Sequence, residues 1–200
     1  SGIEKFNVNA TGTASGSATT GTVTLVSSVL KDVAITGTAA SALSVDLAGA
    51  TTLAGGSVTG NDAANTVILT ADAADTISVD LGAGNDVLSI GSVSATHTLA
   101  GGDGTDTLLS TAAITAATGA NISGFEVVSA GAVSIALPTA TNTIGTVGFT
   151  ATGGTVKGLA TGGTVSLAQA AGTYANTVSN TTGWTGTTDN LTVAVGGATS

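Results

Sequence analysis

Two hundred residues with a net charge of -9, from 12 acids against 3 lysines, exclude the basic face that nucleic-acid binding requires. With 30 glycines, no cysteine and only 2% aromatic residues, the chain lacks a disulfide staple and the side chains of a conventional globular core. Its 42% hydrophobic content, mostly Ala and Val, nevertheless separates it from disordered chains and suits a solenoid, where each coil buries small β-branched residues against the next.

Residues 1–60 read as short strands at irregular spacing: IEKFNVN (3–9), TVTLV (22–26), VAIT (33–36), LSVDL (43–47) and TLAGG (52–56). Alternation within them makes Ile3, Phe6, Val8, Val23, Leu25, Leu43, Val45 and Leu47 the inward candidates. Only Ser27 to Asp32 and Val165 to Tyr174 have room for a helical turn or two.

The next stretch has a spacing that demands particular chemistry. GGDGTDTLL, residues 101–109, fits the calcium-binding β-helix repeat G-G-x-G-x-D-x-U-x through Gly101, Gly102, Gly104, Asp106 and Leu108. LGAGNDVLS, residues 81–89, keeps Gly82, Gly84, Asp86 and Leu88 and has Leu81 where the first glycine would be. Glycines allow a turn with positive φ that aims carbonyls inward, and a hard cation takes about six to eight oxygens. Aspartate adds the charge. Asp86 and Asp106 are 20 residues apart, which puts both on one edge of a solenoid with space for an ion between them.

Strand starts recur around these loops. NTVIL at 65, DTISV at 75, DVLSI at 86, HTLAG at 97 and DTLLS at 106 follow at steps of 10, 11, 11 and 9. Alternate members are expected to share an edge, with Asn65, Asp86 and Asp106 on one and Asp75 and His97 on the other. Candidate metal ligands are therefore Asn65, Asp75, Gly82, Gly84, Asp86, Gly102, Asp103, Gly104 and Asp106, with Ca2+ as the cofactor. For Asn65, Asp75 and His97 the competing reading is an ordinary polar turn, which is the one favoured for His97.

Repetition on a larger scale divides the chain into a module at 1–123, with a calcium-loop region at 60–110, and a partial module at 124–200. Gly2-Ile3-Glu4 recurs as Gly124-Phe125-Glu126, which suggests a structural role for both glutamates. The second module keeps the strands VSIAL (133–137), TVGFTAT (146–152), TVSLA (164–168) and LTVAV (191–195). It has almost no acids between Glu126 and Asp189, so little calcium is expected there. Neither end carries a cap over the solenoid, and an excerpt of a longer array is the expectation. The long uncharged stretch 127–156 is broken by Thr, Ser, Gly and Pro138, so it is not a membrane span.

GGDGTDTL, ANISGFEVVSAG (120–131) and SGIEKFNVNATG (1–12) together resemble the calcium-binding, RTX-like, type-I-secreted surface-layer proteins of Gram-negative bacteria. The likeness covers most of the chain in composition and about residues 60–130 in motif. It implies export while unfolded, folding at the bacterial cell surface in about millimolar calcium, and assembly with copies of itself into a lattice. Cell-surface polysaccharide is a further candidate partner. A calcium-stiffened adhesin stalk and a noncatalytic module of a secreted polysaccharide-active enzyme are the alternatives.

The expected fold is all-β, a parallel β-helix or β-solenoid with Gly/Asp-rich calcium loops. No catalysis is expected: there is one histidine, no cysteine and no G-x-S-x-G, and Asp72 and Asp75, three apart, would face opposite ways on a strand. Trp184 and Tyr174 read as plugs over a strand edge, and Lys5, Lys31 and Lys157 as edge guards.

Overall fold

Segments such as NTVIL and ISVD alternate buried and more exposed residues, so one face of each can be covered only by other strands. The computed structural model describes residues 4–11, 21–24, 31–38, 43–46, 55–69, 76–131, 133–137, 144–151, 153–159, 163–167, 175–179 and 192–195, with backbone alone at 21–24, 43–46, 179 and 192–195. These segments form a parallel β-solenoid in which the chain passes from one sheet to another and back in each coil.

The longest sheet has nine strands, in spatial order along the stack: Gly21–Thr24, Leu43–Asp46, Asn65–Leu69, Val87–Ile90, Thr107–Ser110, Val127–Ala130, Thr146–Phe149, Thr164–Leu167 and Thr192–Val195. A six-stranded sheet accompanies its first part, built from Lys5–Asn9, Asp32–Thr36, Gly56–Thr59, Ile77–Asp80, Thr98–Ala100 and Ile122–Ser123. Beyond that, a three-stranded sheet of Ser134–Ala136, Thr155–Lys157 and Thr177–Ser179 takes over. The nine-stranded sheet runs across the change without a break.

Parallel in-register stacking sets like residues above like, and this creates the core. Val67, Leu88, Leu108, Val128, Val147 and Val165 form one continuous buried row of the nine-stranded sheet. Opposite them, Val33, Val58, Val79, Leu99 and Ile122 form the inner row of the six-stranded sheet, with Phe6 packed at its edge. Each fully buried Val, Leu or Ile contributes about 1.5–3 kcal/mol, so a column of modest side chains is enough. The large ring of Phe149 fits because Gly154 faces it: a Cβ there would collide with the ring.

Three local expectations need correction or restriction. Asp32 opens a strand and Val165–Leu167 lies within one, so neither expected helical segment holds over its described residues. The described helix is Ala116–Gly119, a single turn capped by Thr115 and Thr118, which accept from or donate to each other's backbone. Among the inward candidates Val8 is buried and Phe6 half-buried, whereas Ile3, Leu25 and Leu47, and the side chains of Val23, Leu43 and Val45, lie outside the described residues. Of the strand expected at 52–56, residues 52–54 lie outside the described residues, Gly55 is in a turn and Gly56 opens the strand Gly56–Thr59.

His97 precedes the strand Thr98–Ala100, which lies beside Ile77–Asp80 in the six-stranded sheet. Ser78 pairs with Thr98, so the preceding residue, His97, lies in register with Ile77. Asp75 stands two positions before Ile77 in the chain. Asp75 itself, with Asp72, Tyr174 and Trp184, lies outside the described residues.

Candidate metal centre

The Gly-rich loops enter the nine-stranded sheet at one corner and stack there. Their residues correspond in rows: Leu81 and Gly101 follow the paired Asp80 and Ala100, and Ala83 bridges Asp103. Gly84 N–H donates to Asp103 O and Asp103 N–H to Gly82 O, both at 2.9 Å. The stack extends one coil further back, onto GNDAAN, residues 60–65. Gly82 lies against the Asn61 carbonyl and Gly84 against Ala63.

Stacking this close explains the glycines. Gly102 and Gly104 have φ of 112° and 139°, and a Cβ on either would land on the carbonyl oxygen of Gly82 or Gly84 respectively. Gly82 and Gly84, at 92° and 125°, repeat the conformation one coil earlier. Backbone oxygens thereby come together at the corner.

Where each loop joins its strand, a side chain reaches along the solenoid axis. Asn65 N–H donates to Asp86 Oδ1 at 2.6 Å, Asp86 N–H to Asp106 Oδ1 at 2.7 Å, and Asp106 N–H to Glu126 Oε2 at 2.8 Å. The result is a column of Asn65, Asp86, Asp106 and Glu126. Asn65 is 2% exposed, and Asp86 and Asp106 are fully buried. Each aspartate keeps one oxygen, Oδ2, buried without a hydrogen-bond partner.

Burial raises the pKa of both acids. Asp86 is pushed up to about 6, first by loss of water and then by the Asp106 charge, while the Asn65 backbone and side chain pull it down. Asp106 is raised by burial, with Glu126 and Asp103 adding repulsion, against the Asp86 N–H bond that lowers it. An unpartnered buried carboxylate oxygen is costly, and a proton or a cation removes that cost.

The donor set suits a hard cation. Among the described residues no group of three or more His, Cys, Asp or Glu side chains gathers as a metal cluster. A cation in the column would therefore be held chiefly by backbone carbonyls of the glycine loops, with Asp86 and Asp106 supplying the charge; oxygen donors of this kind suit calcium. The unpartnered Oδ2 atoms and the close-stacked glycine carbonyls are the features that fit such an ion.

The structure brings together Asn65, Gly82, Gly84, Asp86, Gly102, Gly104 and Asp106. Asp103 joins through backbone hydrogen bonds, and its side chain, exposed on the loop, acts on Asp106 through its charge. His97 stands apart as a buried turn residue: Ser94 N–H donates to its Nδ1 at 3.2 Å, and its Nε2 has no partner. Sequence reasoning missed Glu126 as a member of the column, and it included residues 60–65 in the calcium-loop region without a glycine loop there. The 20-residue spacing from Asp106 to Glu126 was the available signal for the first.

The Glu126 loop departs from the others for a physical reason. Gly101 approaches Gly124, and only Phe125 separates Gly124 from Glu126, whereas four residues separate Gly101 from Asp106. Phe125, fully buried, fills this shorter turn. The extra methylene of glutamate spans back to Asp106. Glu4, its counterpart by repetition, has an exposed side chain, and its carbonyl accepts from Lys31 and Asp32 N–H at 2.9 Å.

Among the described residues no helix is long and apolar enough to cross a membrane. Comparison with family models, with curated proteins and with solved structures finds no match to this chain.

Proposed function

We propose that this chain is a calcium-binding structural segment of a secreted bacterial surface layer, in which calcium completes the loop column and copies of the chain associate laterally. The observation that carries the calcium part is the pair of buried, unpartnered oxygens, Asp86 Oδ2 and Asp106 Oδ2, in a corner of stacked glycine loops. Extracellular calcium modules have dissociation constants of about 10⁻⁴ to 10⁻³ M, which makes filling outside the cell and emptiness within it the expected cycle. The lattice part rests on the surface-layer resemblance. It is supported by outward rows of small side chains such as Thr107, Ser129, Thr146 and Ser166, beside which Leu109 is the exposed large hydrophobic among the described residues.

Electron microscopy of metal-stripped protein, before and after calcium is raised to about 1 mM, tests this directly. Ordered sheets that disappear on chelation support the surface layer. Single particles that gain heat resistance with calcium would replace it with a stiffened adhesin stalk, a reading favoured by the unbroken nine-stranded sheet. Particles indifferent to calcium would remove both.

A further inference from the structure

The first rung of the column differs from the others in one atom type. Asn65 Nδ2 donates to Ala63 O at 2.6 Å and lies 3.3 Å from each of Asn61 O, Leu81 O and Asp86 Oδ1. Four oxygens thus converge on one nitrogen that has two hydrogens to offer. Turning the amide over would set its own oxygen against three carbonyls, so the nitrogen is the atom that belongs there.

One coil on, register assigns the corresponding positions: Gly82 for Asn61, Gly84 for Ala63, Gly101 for Leu81 and Asp106 for Asp86. Asp86 takes the place of Asn65. The backbone bond is repeated, from Asn65 to Asp86 and from Asp86 to Asp106. What changes is that a carboxylate oxygen replaces the donating nitrogen, and that is where the chain leaves Asp86 Oδ2 without a partner.

We infer that the Asn65 side-chain amide is a built-in substitute for the cation, closing the first oxygen cage of the column by its own N–H groups so that ion binding begins only at Asp86. This rests on the calcium reading above and adds to it a residue that sets where the ion column stops. The coil from Gly60 to Leu69 is then ordered without metal and serves as the template on which the metal-dependent coils close.

Reciprocal substitutions test the exchange of amide for ion. Asn65→Asp opens the first cage, and Asp86→Asn closes the second. Native mass spectrometry and calorimetric titration with calcium alone count the ions, and thermal unfolding of metal-stripped protein reads the stability of the empty column. The expected result is one calcium more than wild type for Asn65→Asp, and one fewer for Asp86→Asn with a raised unfolding midpoint in the stripped state. If wild type binds calcium but Asn65→Asp gains no ion and Asp86→Asn gains no stripped-state stability, the inference is overturned and the calcium reading stands. If Asn65→Asp does not fold, Asp86→Asn decides alone by the same two readouts. If neither wild type nor the variants bind calcium, both fall.

Discussion

Asp86 donates its backbone N–H to Oδ1 of Asp106 at 2.7 Å, so the aspartate of one coil holds the main chain of its neighbour. Each acid in the column therefore has two tasks, a structural one through one oxygen and an electrostatic one through the other. Substitution and pH act on the two tasks differently.

Replacing Asp106 by Ala removes the acceptor for a buried N–H and one of the charges. Loss of a hydrogen bond to a charged group costs about 1.5–3 kcal/mol. The thermal midpoint should fall with or without calcium, and the calcium-induced rise should shrink as well. Circular dichroism melts of both states measure the two effects.

Gly102→Ala and Gly104→Ala should each destabilise by more than about 1–3 kcal/mol, because backbone strain at φ of 112° and 139° adds to collision with a neighbouring carbonyl. Gly131→Ala is the control: a Cβ there meets nothing within 4 Å, and its midpoint should stay near wild type. Equal behaviour of the three variants in urea unfolding would contradict the close stacking of the loops.

The metal-stripped protein should lose stability as pH rises from about 4 to 6. Asp86 has a folded pKa pushed up to about 6, above the ordinary carboxylate value near 3.8. Between those values the folded chain holds a proton that the unfolded chain has released, so raising pH favours unfolding. Asp106, also raised, acts in the same direction. The loss from Asp86 is on the order of 2–3 kcal/mol and is complete above its folded pKa. Saturating calcium should abolish or reverse the slope, because the ion favours the ionised carboxylates. Melting curves across this range, with and without calcium, give the comparison.

Glu126→Asp should be more damaging to the empty column than Glu126→Gln. Aspartate is one methylene too short to reach Asp106 N–H across the shortened turn, while glutamine retains the reach and an acceptor oxygen. The Asp variant should lose about 1–3 kcal/mol in metal-stripped protein. Chemical unfolding of the pair resolves the order.

Much of this was legible because a solenoid repeats. Strand alternation and the glycine spacing gave the coil, and steps near 20 residues placed Asn65, Asp86 and Asp106 on one edge, where register puts them. Glu126 escaped because its loop is shorter and its residue type differs, although the interval held. Residues 60–65 fell within the expected calcium-loop region but were not legible as a loop of the same kind, because Gly60 alone remains of the glycines and a carbonyl cage around Asn65 Nδ2 leaves no motif. A one-turn helix such as Ala116–Gly119 leaves no apolar period to detect.

The column of acids lies along the same axis as the hydrogen bonds that hold coil to coil. Adjacent strands sit about 4.7–4.9 Å apart, and two full charges at that distance repel by about 3 kcal/mol at an effective dielectric of about 20. Stripped of cations and ionised, the corner from Asp86 to Glu126 is thus a compressed spring inside a rod, pushing apart what the ladders pull together. A pulling force applied along the rod would find its weakest point there, and a cation that reverses the sign of the charge contact would turn that point into a clasp.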